Sequence, residues 1–515
     1  AEGVQNNPKA ELVIMEKHGL VTWGETSKES YDKTIEIINE AESYIEKQAE
    51  SIQIFGGEKY TSLSEEQRKE IFAEIMPIVR GQVSQDKRML VTYDDDSEVL
   101  QFVNSHHAQE LSQVGAACPD HLVHTKRVPL FVEWDPQTGD REELIEKLKT
   151  GLDTFKQEYV EYFDRNKEDG DEIMETAPRI ILIPGLGMLN TGKSWSAANV
   201  SEQLYHRAIA VMRGATVLGN FVSLNEHESF KIEYWPLELY KLSLAPPEAE
   251  FSRQVAFVTG GAGGIGTATI YRFIEEGAHA VIADINLEGA QNLANEINEK
   301  YGENRAIAVK MDVTKEEEVQ LAITQSVLSY GGIDVLVNNA GLASSSPFEE
   351  TTIDQWNLNM NVLVTGYFLV AREVFKLMKD QEIGGNMVFV GSKNSIYAGK
   401  NAAAYSTAKA AEVHLARTIA ADGGQHGIRV NSVLPDAVIR GSKIWDSSWK
   451  KERASSYGIG TSDLEEHYRK RTILNVNILP EDIAESIAFL ASSKAKKTTG
   501  CMITVDGGVA AAFTR

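Results

Sequence analysis

Tyr405-Ser-Thr-Ala-Lys409 sets a phenol and an amine four residues apart, a spacing that on a helix puts both on one face. A neighbouring ammonium favours phenolate and tunes the hydroxyl for proton transfer. The pair alone says little: with 17 Tyr in 515 residues, and Lys at roughly one residue in twenty, about one such match arises by chance. Its surroundings add weight. Ser392, thirteen residues upstream, ends the apolar run Met387–Val390 and is placed to hydrogen-bond a substrate oxygen.

A second constellation lies further upstream. Thr259-Gly-Gly-Ala-Gly-Gly-Ile-Gly266 directly follows the short apolar run Val255–Val258 and opens a helical stretch. Glycines at 260, 264 and 266 let the backbone turn tightly and approach a pyrophosphate, whose charge meets the helix N-terminus. Asp284 ends the next strand, about 20 residues on, where a carboxylate binds adenosine ribose hydroxyls. A carboxylate there disfavours a 2′-phosphate, and the loop holds no Arg or Lys, so NAD is expected rather than NADP. Asn338-Asn339-Ala340-Gly341 ends another strand beside the adenine ribose, and Asp312-Val313 follows a strand at the adenine. Asn361 comes after Trp356 in a helical stretch.

These residues need a scaffold of alternating strands and helices. Val255–Val258, Ala280–Ala283, Ala306–Val309, Val335–Val337 and Asn386–Val390 read as buried strands, with helices near 287–301 and 315–330. That rhythm implies a parallel sheet covered on both faces. Upstream, Glu11–Met15 reads as a strand turning at His18-Gly19, and Thr26 with Glu29 has capping-box spacing ahead of a stripe of Tyr31, Ile35, Ile38 and Ile45. Ser64 with Gln67 opens a second helix carrying Ile71, Phe72, Ile75 and Val79 around Pro77, and Arg179–Gly187 reads as strand then loop, followed by a helix to about residue 213. Pro246-Pro247 mark the seam, giving an α/β region over 1–242, a linker over 243–253 and a Rossmann-type doubly wound domain over 254–515.

With the glycine motif, Asn-Asn-Ala-Gly, Ser–Tyr–Lys and Val505-Asp-Gly-Gly508 in order, residues 254–515 resemble a short-chain dehydrogenase/reductase. The resemblance implies that Tyr405 is the acid/base and that Lys409 tunes it and binds the nicotinamide ribose. It further implies that Ser392 orients the substrate, that Asn361 holds a water in a proton relay, and that Ile265 and Val438 join the cofactor-binding residues. One departure follows Arg429–Pro435: the family usually has Gly where Asp436 stands. Asp436 reads either as a solvated turn residue, the preferred reading, or as a group that alters substrate choice.

Glu16-Lys-His-Gly-Leu-Val-Thr-Trp-Gly-Glu-Thr26 resembles the segment of class II, zinc-dependent sugar-phosphate aldolases that carries their third metal-binding histidine, here His18. That family's other two histidines lie upstream, yet only 17 residues precede His18 and none is His. Zinc is therefore expected only if a longer chain completes the site, an outcome that the missing initiator Met favours. His121 and His124 beside Cys118 read as a packed loop rather than a metal site. The whole order resembles bifunctional rhamnulose-phosphate aldolase/lactaldehyde dehydrogenases. It implies hydride transfer between nicotinamide and a small hydroxy-aldehyde or alcohol, with a zinc-dependent lyase upstream as the alternative.

Composition narrows the field. A net charge of −24 repels nucleic acid and anionic membranes, two cysteines far apart fit a reducing cytoplasm, and no apolar run approaches 18 residues. The expected partners are a small-molecule substrate and, by family analogy, copies of the same chain in a dimer or tetramer.

Overall fold

The computed structural model describes residues 2–7, 9–16, 18–244, 246–441, 445 and 448–513. They fall into two compact units, one over 1–72, 92–192 and 197–246, the other over 73–91, 193–196 and 247–515.

In the first unit, β1 (Leu12–Met15) and β2 (Gly19–Thr22) form an antiparallel hairpin. Helix α1 (Ser27–Ala49) starts where the Thr26 hydroxyl accepts from the Glu29 amide, but Tyr31, Ile35 and Ile38 stay exposed along it. Helix α2 (Glu65–Val83), of which residues 65–72 belong to this unit and 73–83 to the other, begins with reciprocal bonds between Ser64 and Gln67, and Ile71, Phe72, Ile75 and Val79 are all buried. A four-stranded sheet combines β3 (Leu90–Asp94), β4 (Leu130–Phe131), β5 (Ile180–Ile183) and β6 (Gly187–Gly192) in the order β3-β6-β5-β4. The expected helix does follow, but a further strand precedes it where a loop was expected. Gly185, at φ +77°, reverses the chain so that β6 returns antiparallel to β5. Helices α3 (Arg141–Asn166) and α4 (Trp195–Leu218) supply buried Phe155, Tyr159, Tyr205 and Ile209.

The second unit is the doubly wound domain. Its strands β7 (Val255–Thr259), β8 (His279–Asp284), β9 (Ala306–Lys310), β10 (Val335–Asn338), β11 (Gly385–Val390), β12 (Ile428–Pro435) and β13 (Met502–Val505) form one parallel sheet. The order β13-β12-β11-β10-β7-β8-β9 reverses direction between β7 and β10, which opens a crevice at the carboxyl ends of those strands. Helices α5 (Gly264–Glu275) and α6 (Leu287–Tyr301) pack Ile270, Phe273, Leu293 and Ile297 on one face. Helix α7 (Glu316–Tyr330) follows β9, and α8 (Ile353–Met360) leads through a π-helical stretch, Asn361–Gly366, into α9 (Tyr367–Gln381). Then come α10 (Ala403–Gly423), α11 (Ser448–Tyr457), α12 (Leu464–Arg471) and α13 (Pro480–Ala491), the last adding Ile483 and Ile487 beside α5.

Residues 73–91 contribute an ion pair to this unit. The Arg80 guanidinium meets Asp334 at 2.6 Å with both side chains fully buried, and Arg88 reaches the other carboxylate oxygen at 3.0 Å. Asp334 also accepts the Val255 amide at 2.7 Å, so it ties the start of β7 to the residue before β10. Burial alone would raise this carboxyl, yet the two guanidiniums hold it below its ordinary range.

Among the described residues no helix is long and apolar enough to cross a membrane.

Candidate active site

The crevice is a cavity of about 500 Å³ whose walls come from the carboxyl ends of β7, β8, β10, β11 and β12. On its cofactor side the glycine loop is braced from two directions. The Thr259 hydroxyl accepts the Asn339 and Ala340 amides at 2.8 and 2.9 Å, and the Asn339 amide group donates to the Thr259 and Gly260 carbonyls at 3.0 and 3.2 Å. Gly260 holds φ +62°, and a Cβ there would lie 2.9 Å from the Ala340 Cα. A Cβ on Gly266 would sit 2.3 Å from the Gly260 carbonyl oxygen, so no larger residue fits beneath the turn. The loop ends at Gly263, the N-cap of α5.

Asp284 closes this end. Its carboxylate accepts the Ala262 amide at 3.0 Å and the Asn286 amide at 2.9 Å, joining the glycine loop to the end of β8. Asp312 accepts the Thr314 amide and hydroxyl. Burial would raise its carboxyl, but those two bonds bring it below its usual range. Both acids line the cavity, together with Gly260, Gly264, Ile265 and Val313. Asn339 and Val438 line it too, and Gly266 supports the loop from below. These residues fit a dinucleotide: a cradle without side chains, a helix N-terminus, and a carboxylate at the ribose position.

At the reacting end Ser392, Tyr405 and Lys409 line the same cavity. Ser392 leaves β11 at the start of a 3-10 turn, its hydroxyl accepting the Asn394 amide at 3.2 Å. Tyr405 and Lys409 sit one turn apart on α10. Lys409 is 5% exposed; its ammonium donates to the Val390 carbonyl at 2.8 Å and lies 5.2 Å from the centre of the Tyr367 ring.

Asn361 is not part of this assembly. It is exposed at the start of the π-helical stretch, and Val362 lines the cavity beside it. The wider turn re-registers the helix, so that Asn359 and Leu363 are the buried residues here. Asn359 donates to the Ser344 hydroxyl and the Gln355 carbonyl, both at 2.8 Å. Asp436 also departs from the turn reading. Its side chain is 5% exposed, bonded to Arg471 and 3.8 Å from Lys393.

Sequence reasoning missed Glu412 and Lys393. Glu412 could have been found as an acid three residues past Lys409 in an alanine-rich helical run. It is fully buried, 3.0 Å from the Lys409 ammonium, and burial pushes its carboxyl up to about 7 against the pull of that ammonium. Trp445, Trp449 and Arg453 also line the cavity, and they lie in the stretch 436–455 that the family resemblance marks as shaping the substrate pocket.

In the first unit His18 is exposed at the β1–β2 turn. Among the described residues no group of three His, Cys, Asp or Glu side chains is arranged to hold a metal ion, so the residues present do not fit a catalytic zinc centre.

Comparison with known proteins agrees with the two-part reading. A family model described as enoyl-(acyl carrier protein) reductase matches residues 260–510, and one described as aldolase class II, second domain, matches residues 70–242. The uncharacterised oxidoreductase YuxG of Bacillus subtilis is 67% identical over 515 residues, covering 100% of this chain and 75% of that protein. Sorbitol-6-phosphate 2-dehydrogenase of Escherichia coli is 32% identical over 256 residues, 50% of this chain and 98% of that enzyme. The crystal structure of a sorbitol-6-phosphate 2-dehydrogenase from Erwinia amylovora, 30% identical, covers 50% of this chain and 100% of its own with a TM-score of 0.48. The chain belongs to the family in which a class II aldolase-like region is fused to a short-chain dehydrogenase/reductase, an NAD(P)-dependent oxidoreductase.

Proposed function

We propose that the second unit uses NAD to move hydride to or from a small hydroxy-aldehyde or alcohol of the lactaldehyde type, within a bifunctional deoxy-sugar catabolic protein. The observation that carries this reading is the gathering of Ser392, Tyr405 and Lys409 on one cavity with the glycine loop and Asp284. The Asp284 carboxylate, with no basic side chain in the loop, favours NAD over NADP.

When bound, the nicotinamide supplies the carbon that accepts or returns hydride. Ser392 holds the substrate oxygen. Tyr405 takes the proton from that oxygen as the carbinol, or the hydrate of an aldehyde, is oxidised, and gives it back in the reverse direction. Lys409, pinned by Val390 and Glu412, keeps a positive charge beside the phenol. Trp445 and Trp449 line the cavity as an apolar wall that limits water.

The test is a screen of NAD and NADP reduction with lactaldehyde, other short aldehydes, diols and polyols. The expected result is turnover of a short hydroxy-aldehyde or diol with NAD preferred; no turnover of any of them, or NADP preferred, overturns the reading.

A further inference from the structure

The substrate end of the crevice carries charge that hydride transfer does not need. Lys393, the residue after Ser392, lines the cavity with a side chain only 7% exposed. Among the described residues its ammonium has the Asp436 carboxylate at 3.8 Å and the Tyr397 ring at 5.2 Å, and no hydrogen-bond acceptor. That carboxylate is already shared, because its other oxygen takes the Arg471 guanidinium. Arg453, 3% exposed, lines the same corner and donates to the Lys400 carbonyl and the Tyr457 and Tyr468 hydroxyls. Glu452, next to it, is turned to the Ser345 amide at 3.1 Å. Two cations, Lys393 and Arg471, therefore share one carboxylate, and the charge of Arg453 also acts on Lys393.

The imbalance is felt by the neighbouring phenol. Burial would raise Tyr457, but the Tyr468 hydroxyl and the charges of Arg453, Arg471 and Lys393 bring it below the ordinary phenol range. The Lys393 side chain lines the cavity with no protein hydrogen-bond acceptor among the described residues, so an anionic ligand bound there would supply one.

We propose that Lys393 receives an anionic oxygen group, a carboxylate or a phosphate, carried by the reacting molecule close to the carbon that Ser392 and Tyr405 address. Asp436 aims Lys393, and Arg471 draws enough of the carboxylate's charge to keep the ammonium free for the ligand. The substrate class is thus a hydroxy or oxo compound with an anionic end, or an aldehyde whose oxidation creates a carboxylate. This rests on the dehydrogenase reading and narrows its substrate.

The test uses the full chain loaded with NADH, followed by cofactor fluorescence. Oxamate and glycerol 3-phosphate serve as anionic probes, and propanamide and glycerol as their neutral counterparts. The expected result is that at least one anionic probe binds about tenfold or more tighter than its counterpart. Lys393→Met abolishes that preference and Lys393→Arg retains part of it. Whichever probe, carboxylate or phosphate, shows the larger loss in Lys393→Met identifies the tail. Equal binding of charged and neutral probes, or an undiminished preference in Lys393→Met that still binds NADH, overturns the proposal and leaves the dehydrogenase reading standing. Failure of the wild-type chain to bind NADH removes both.

Discussion

The Lys409 ammonium and the Glu412 carboxylate face each other at 3.0 Å on one face of α10, 6% and 0% exposed. Lys409 therefore meets the crevice already paired, with the Val390 carbonyl as its second anchor. Glu412 is thus the carboxylate in contact with the Lys409 ammonium.

Glu412→Gln is expected to lower turnover and to change its pH dependence. The wild-type carboxyl titrates at about 7, so protonation weakens its hold on Lys409 as pH falls through that value. The acidic limb of the kcat/KM profile should inflect near pH 7 in the wild type and lose that inflection in Glu412→Gln. An unchanged profile would show that the carboxyl only packs.

Tyr405→Phe should keep NAD binding and lose roughly two to four decades of turnover, the usual worth of a positioned acid/base. Cofactor titration and steady-state rates on the same preparation check it; near-normal rates would remove Tyr405 from the chemistry.

Arg80→Leu should destabilise the protein by about 3–5 kcal/mol, with the lower end expected because Arg88 still touches Asp334. Denaturant unfolding measures the loss. The companion variant Asp334→Asn, which removes the buried charge as well, should not be additive with it.

Acid should weaken the second unit through His279. The ring is 2% exposed, its Nε2 accepts the Trp195 amide at 3.2 Å, and burial pushes its pKa down to about 3, helped by Arg305 and Arg80. A base depressed on folding adds stability that is full above pH 6.5, its ordinary value, and is lost as pH falls from there toward 3, roughly 5 kcal/mol over the whole interval. His279→Gln, which keeps an acceptor, should flatten unfolding free energy between pH 6.5 and 4. A slope equal to the wild type's would locate the acid sensitivity elsewhere.

The local chemistry was legible in the chain itself. Tyr405 and Lys409 share a helix face by spacing, Ser392 ends a strand, and the glycine loop with Asp284 spans one β-α-β unit, so covalent connectivity fixes their neighbourhood. The strands β7 to β11 were readable for the same reason, as short apolar runs between helical periods.

What the tertiary structure alone decided is the company those residues keep. Lys393, Asp436 and Arg471 meet only because β11 and β12 run parallel in register, with Val390 opposite Val433, so that their carboxyl ends open side by side. Arg80 finds Asp334 across 254 positions, and Asn361 stands exposed at the start of a π-helical turn within the helical stretch. Such contacts depend on sheet order and helix register, which no periodicity within a single segment encodes.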